Sequence, residues 1–84
     1  MRITVITQPN CQPCRAVKRI LDRADITYQT IDAVEHPGAA ARVRALGYTG
    51  TPVTIVEHAD GSTTHFHGYD PDKIDAIITE AKGA

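Results

Sequence analysis

Two cysteines, Cys11 and Cys14, stand at C-x-x-C spacing in a chain that contains no others. Sulfurs three residues apart at the start of a helix meet with little backbone movement, so the pair can cycle between dithiol and disulfide. The species that attacks a disulfide is the thiolate. An isolated cysteine, with a pKa of about 8.5, is only a few per cent thiolate at neutral pH, whereas a pKa of about 7 makes it half thiolate. Unsatisfied N–H groups and the positive dipole end at a helix start favour that anion. Cys11 precedes the helix expected here and Cys14 lies one turn inside it. Cys11 is therefore expected to attack, and Cys14 to resolve the mixed disulfide.

Other uses of the pair weigh less. A structural disulfide closing so short a loop contributes roughly 2 kcal/mol, and it joins residues that are already neighbours. Tetrahedral zinc takes four Cys or His ligands, and Cys11, Cys14, His65 and His67 make such a set by type. His65 and His67, two apart on a strand, point their rings to one face, but nothing in the sequence brings that face to the cysteines. Each of the four histidines is expected to face solvent, and neither a resident metal nor a cofactor is expected. A zinc-holding or thiol-switch module without turnover stays as the alternative from another class.

The elements that must position the pair follow from pattern. Arg2 to Thr7 is rich in β-branched residues and predicts a strand, broken by Gln8-Pro9-Asn10. Pro13 sits where a first helical turn tolerates proline. Val17, Ile20, Leu21 and Ala24 recur at helical spacing on one face, while Arg15, Lys18, Arg19 and Arg23 lie elsewhere on the wheel as a solvated basic face. Thr27 to Ile31 predicts a second strand, parallel to the first because a helix intervenes. A second helix runs from His36-Pro37-Gly38 through Ala39, Val43 and Leu46 to Gly47. Pro52 to Glu57 and Thr63 to Phe66 predict two strands joined by a turn at Ala59-Asp60-Gly61-Ser62. Asp70 as N-cap and Pro71 as first residue open a last helix, whose apolar face is Ile74, Ile77, Ile78 and Ala81. The order βαβαββα implies an α/β fold with one mixed four-stranded sheet flanked by helices.

With 84 residues, the chain suits a single domain over residues 1–84. The net charge of −1, with acids and bases interspersed, gives no reason to expect nucleic acid or an anionic membrane as partner. No signal-peptide pattern opens the chain, and no apolar run approaches the roughly 20 residues of a membrane span. A cytoplasmic monomer is expected.

The stretch Thr7-Gln8-Pro9-Asn10-Cys11-Gln12-Pro13-Cys14 resembles the active-site segment of glutaredoxin-like proteins. Ala45-Leu46-Gly47-Tyr48, Thr51-Pro52-Val53 and Gly68-Tyr69-x-Pro71-Asp72-x-Ile74 resemble the NrdH-redoxin branch in particular. The match runs in order over nearly the whole chain. The resemblance implies a thioredoxin-like fold and a dithiol–disulfide oxidoreductase that carries electrons to a class Ib ribonucleotide reductase. In that family thioredoxin reductase recharges the dithiol, rather than glutathione. It further implies a cis bond before Pro52, packed against the dithiol, and a Thr51 backbone that pairs with an incoming peptide as an added strand. By the same resemblance Thr51, Pro52, Gln12, Pro13, Gly68 and Tyr69 form the substrate surface. The chain departs from the family at four positions: Gln8 replaces a common basic residue, Phe66 a tryptophan, Tyr69 a phenylalanine and Asp70 an arginine. Pro13, before the second cysteine, is a thioredoxin-like placement. These departures bear on the partner more than on the redox chemistry. A glutaredoxin coupled to glutathione or mycothiol is the alternative within redox chemistry, with the missing basic residue at Gln8 against it.

Overall fold

Alternating side chains and hydrogen bonding place β1, Arg2–Thr7, inside a four-stranded sheet of order β2-β1-β3-β4, in a computed structural model that describes residues 1–83. β2 is Gln29–Asp32, β3 is Val53–Glu57 and β4 is Thr63–His67. β2 runs parallel to β1, as the intervening helix requires, while β3 is antiparallel to both β1 and β4. The helices are α1, Gln12–Arg23, α2, Pro37–Ala45, and α3, Pro71–Gly83. The element order is the βαβαββα expected from the pattern, and the sheet is the mixed one that order implies, as in the thioredoxin-like fold that the resemblance implied.

The two faces of the sheet separate by strand periodicity. Ile3 and Val5 of β1, Val56 of β3 and Phe66 of β4 pack with Val17 and Leu21 of α1 and Ile74 and Ile77 of α3. On the other face Ile6, Val53 and Ile55 pack against Val43 of α2, with Ala39, Leu46 and Tyr48 at the margin. α1 thus has its apolar stripe under the sheet, which holds its N-terminus at the end of β1. Asn10, at φ 59°, makes the turn between them; asparagine enters this left-handed region more readily than most residues. Asp70 caps α3 as expected, its carboxylate accepting from the Lys73 N–H at 3.2 Å.

Several boundaries differ from the pattern for local reasons. β2 begins at Gln29 rather than Thr27, because α1 is closed by Asp25 at φ 57° and by the Ile26 N–H bonded to the Leu21 carbonyl. Thr27 and Tyr28 are spent on that connection. β3 begins after Pro52, which has no N–H to give to a ladder. β4 extends to His67 because His67 pairs with Val53. Leu46 is the C-cap of α2 rather than a helical residue, and Gly47 takes φ 91° to end it. Ala81 is exposed, so the buried face of α3 reduces to Ile74 and Ile77, with Ile78 partly covered.

Tyr28 returns to α1, its hydroxyl donating to an Asp22 carboxylate oxygen at 2.7 Å. Partial burial, followed by this hydrogen bond to an anion, pushes the phenol up to about 12. The folded state thus favours the neutral ring. Its contribution to stability is whole below the ordinary pKa of 10.0 and is lost as pH rises from there through about 12. Asp22→Asn is expected to move the Tyr28 midpoint back toward its ordinary value in an absorbance titration of tyrosinate. An unmoved midpoint would assign the shift to burial alone.

Candidate active site

Cys11 occupies the N-cap position of α1, with φ −107° and ψ 101°. Its sulfur accepts the Cys14 N–H at 3.2 Å, and its carbonyl accepts the Arg15 N–H at 3.2 Å. Serine or aspartate usually fills such a position because its side-chain oxygen satisfies a free helical N–H. Here a sulfur does so. A thiolate at this point receives a charge-assisted hydrogen bond and the positive end of the helix. Pro13 falls in the first turn, where its missing N–H leaves no helical bond unmade.

Cys11 and Cys14 are joined as a disulfide, S–S 2.10 Å with Cα atoms 5.2 Å apart. Both are buried, Cys11 at 7% exposure and Cys14 at 1%. The more exposed residue of the two is the one whose sulfur caps the helix. The Thr51 hydroxyl also donates to Cys11 Sγ, at 3.6 Å. The Thr51–Pro52 bond is cis, as the resemblance implied, and Pro52 is fully buried. The Pro52 carbonyl accepts the Gly68 N–H at 2.8 Å. Gly68 has φ 79°, a conformation that suits glycine, and it thereby ties the end of β4 to the loop before β3.

The Thr51 hydroxyl supports a thiolate more than a thiol, since a donor lowers the pKa of the anion it serves. Thr51→Val keeps the shape and removes the donor. The Cys11 thiolate midpoint is then expected to rise by about half to one pH unit, the scale of one modest hydrogen bond. The pH dependence of alkylation measures it; an unchanged midpoint would remove Thr51 from any part in activating the sulfur.

The residues expected to meet substrate divide between two separate cavities near the dithiol. Gln12, Pro13 and Tyr69 line a groove of about 480 Å³ together with Arg15, Ala16 and Arg19. Thr51 lies instead in a cavity of about 290 Å³ that also takes in Gln8, Ala33, Val43, Arg44 and Tyr48. Pro52, buried, and Gly68, half-buried, are bonded to each other and line neither space. Arg44, from the last turn of α2, brings a cation into the cavity where Gln8 has none. Pattern alone gave no sign of this, because Arg44 and Gln8 meet only across the sheet end.

The histidines correct the expectation that each faces solvent. His65 is half-buried and its Nδ1 lies 2.8 Å from the Tyr48 hydroxyl. His67 is exposed but its ring stacks on Tyr48 at 5.5 Å between centroids. The His65-x-His67 pair does share one face, and that face is spent on Tyr48. His58 is half-buried between Glu80, 2.5 Å from its Nδ1, and Thr64, 2.7 Å from its Nε2, and so ties α3 to the β3–β4 hairpin. His36 is exposed. Among the described residues no three His, Cys, Asp or Glu side chains gather as metal ligands, and no helix is long and apolar enough to cross a membrane.

Comparison with known proteins points the same way. The glutaredoxin family model matches residues 3–59. The SPbeta prophage-derived thioredoxin-like protein YosR of Bacillus subtilis is 34% identical over 83 residues, covering 98% of this chain and 100% of that one. The glutaredoxin-like protein NrdH of Escherichia coli is 32% identical over 77 residues, covering 92% of this chain and 89% of NrdH. The solved structure of the Escherichia coli NrdH-redoxin, described as having a thioredoxin-like activity profile, superposes with a TM-score of 0.82 at 31% identity, covering 92% of this chain and 95% of that one.

Proposed function

Given that the chain belongs to the glutaredoxin family and is NrdH-like within it, we propose that this thiol–disulfide oxidoreductase works as an electron carrier, with Cys11 as nucleophile and Cys14 as resolving thiol. The observation that carries the reading is the Cys11 sulfur standing as the N-cap of α1. The Cys11 thiolate attacks one sulfur of the substrate disulfide. The substrate S–S bond breaks, one substrate sulfur leaves as a thiolate that takes up a proton, and a mixed disulfide forms. Cys14, deprotonated, then attacks Cys11 Sγ. The second substrate thiol departs, and the Cys11–Cys14 disulfide holds the oxidation. Two electrons have passed to the substrate.

Thioredoxin reductase returns those electrons, and a ribonucleotide reductase of class Ib is the acceptor. The likeness to NrdH over nearly the whole chain supports both assignments. The docking surface comprises the Thr51 backbone, as an edge for an extended peptide, and Gln12, Pro13 and Tyr69 around the dithiol. Pro52 and Gly68 shape it from below. One cytoplasmic, monomeric domain over residues 1–84 carries the activity without cofactor.

A second reading is favoured by Arg44. A low-molecular-weight thiol such as glutathione or mycothiol needs a place for its polar groups, and Arg44 offers a cation in the cavity beside Thr51 where Gln8 does not. The two readings separate in one experiment: oxidised protein is supplied with NADPH through thioredoxin reductase, or through glutathione and its reductase. Turnover with thioredoxin reductase alone is expected. Faster turnover with glutathione would give the function to the second reading.

A further inference from the structure

The groove on the α1 side of the dithiol is basic, and among the described residues no acidic side chain pairs with its arginines. Arg15 and Arg19 are exposed and stand four residues apart, on one face of α1 and about 6 Å apart along its axis. The first turn of α1 contains no acid. Asp22, the one acid of the helix, is engaged by the Tyr28 hydroxyl. Asp70, beside Tyr69, turns its carboxylate to the Lys73 N–H. Among the described residues the one ion pair is His58–Glu80, on another part of the surface. The chain as a whole carries a net charge of −1, so this positive face is local to the dithiol and is not an overall excess of base.

Tyr69 completes the groove with a ring that is 46% exposed. A tyrosine with a bare face and two free guanidinium groups are the residue types that carry binding energy at protein contacts. Arginine in particular pairs bidentately with carboxylates. Thr51, the edge that receives a peptide backbone under the proposed function, touches Cys11 Sγ through its hydroxyl, lines a different cavity and supplies no charge. A partner segment that pairs with Thr51 while its disulfide reaches Cys11 has within reach the groove that begins at the adjacent Gln12, and with it Tyr69 and the two arginines.

We infer that this groove selects among disulfide-bearing proteins by docking an acidic stretch next to the partner's cysteine, its carboxylates on Arg15 and Arg19 and its backbone across Tyr69. The inference rests on the oxidoreductase reading and adds to it a charge rule for the partner. Exposed pairs are individually weak, so the rule acts as a preference among substrates and leaves the redox step unaltered.

The test is a single-turnover reaction of pre-reduced protein with synthetic peptides that share one intramolecular disulfide and differ only in flanking residues, glutamate or serine. The rate ratio of the glutamate to the serine peptide is expected to be about five at low ionic strength, the scale of two exposed charge pairs. It should approach one in roughly 1 M salt, where the Debye length is about 3 Å. In the Arg15→Glu/Arg19→Glu variant, shown folded by circular dichroism, the ratio should fall below one. Using the ratio cancels any effect of the charge change on the Cys11 thiolate itself. A ratio near one in the wild type, or a ratio of five that persists in the variant, overturns the inference while leaving the oxidoreductase standing. Failure to reduce even the serine peptide strikes the oxidoreductase reading, and the inference falls with it.

Discussion

Exchanging Cys11 for serine is expected to lower disulfide reduction by on the order of a thousandfold or more, because an alcohol at the helix cap is neither ionised nor nucleophilic enough to replace a thiolate. Cys14→Ser should fail differently. The first attack still proceeds, but no thiol is left to release the mixed disulfide, so turnover falls by about a hundredfold and the adduct on Cys11 accumulates. Mass spectrometry of the stalled species distinguishes the two variants. The unmodified protein gives an independent check. Reduced under neutral conditions, Cys11, which caps α1 and is the more exposed residue of the pair, should alkylate well ahead of Cys14. Faster labelling of Cys14, or an adduct trapped on Cys14 in Cys11→Ser, would reverse the roles.

The difference between the two sulfurs comes from one feature of the backbone. The helix starts at Gln12, so Cys11 is outside it and Cys14 inside. That placement was legible in the sequence, since a β-branched run, a Gln-Pro-Asn break, a proline in the first turn and an apolar helical stripe all agree. Local consistency of this kind makes an element readable without its tertiary context. The pairings of β1 with β2 and of β3 with β4 were legible for a similar reason, because a helix between two strands imposes a parallel pair and a short turn imposes an antiparallel one, whereas the β1–β3 pairing that joins the two halves carried no local signal. What remained hidden depends on contacts far apart in the chain. Arg44 comes to line one cavity with Gln8 and Thr51 only after α2 is laid on the sheet. Tyr48 gathers His65 and His67 from a strand that lies beyond β3. The start of β2 moved by two residues because the closing turn of α1 used Ile26. Periodicity carries no signal for any of these.

The departures from the family pattern near the end of β4 have unequal physical weight, and a pair of substitutions separates them. Phe66 is 2% exposed and sits in the cluster that joins α1 and α3 to the sheet, opposite Thr54 in the β3–β4 register. Lys73 Nζ lies 6.0 Å from its ring centroid on the α3 side. Three residues on, Tyr69 is 46% exposed and lines the groove beside the dithiol. Phe66→Ala removes a ring that the surroundings cannot fill and is expected to cost about 3–5 kcal/mol. A domain of this size has only about 4–13 kcal/mol in total, so the variant should be marginal or unfolded. Tyr69→Ala touches no core and should change stability by about 0.5 kcal/mol or less, while weakening the hold on a protein disulfide. Urea unfolding midpoints of the two variants, with KM for a protein disulfide measured on whichever remains folded, make the comparison. Similar losses of stability in both would place Tyr69 in the core and take it out of the docking groove. The phenylalanine at position 66 thus answers to packing, and under the proposed function the tyrosine at position 69 answers to the partner that must reach Cys11.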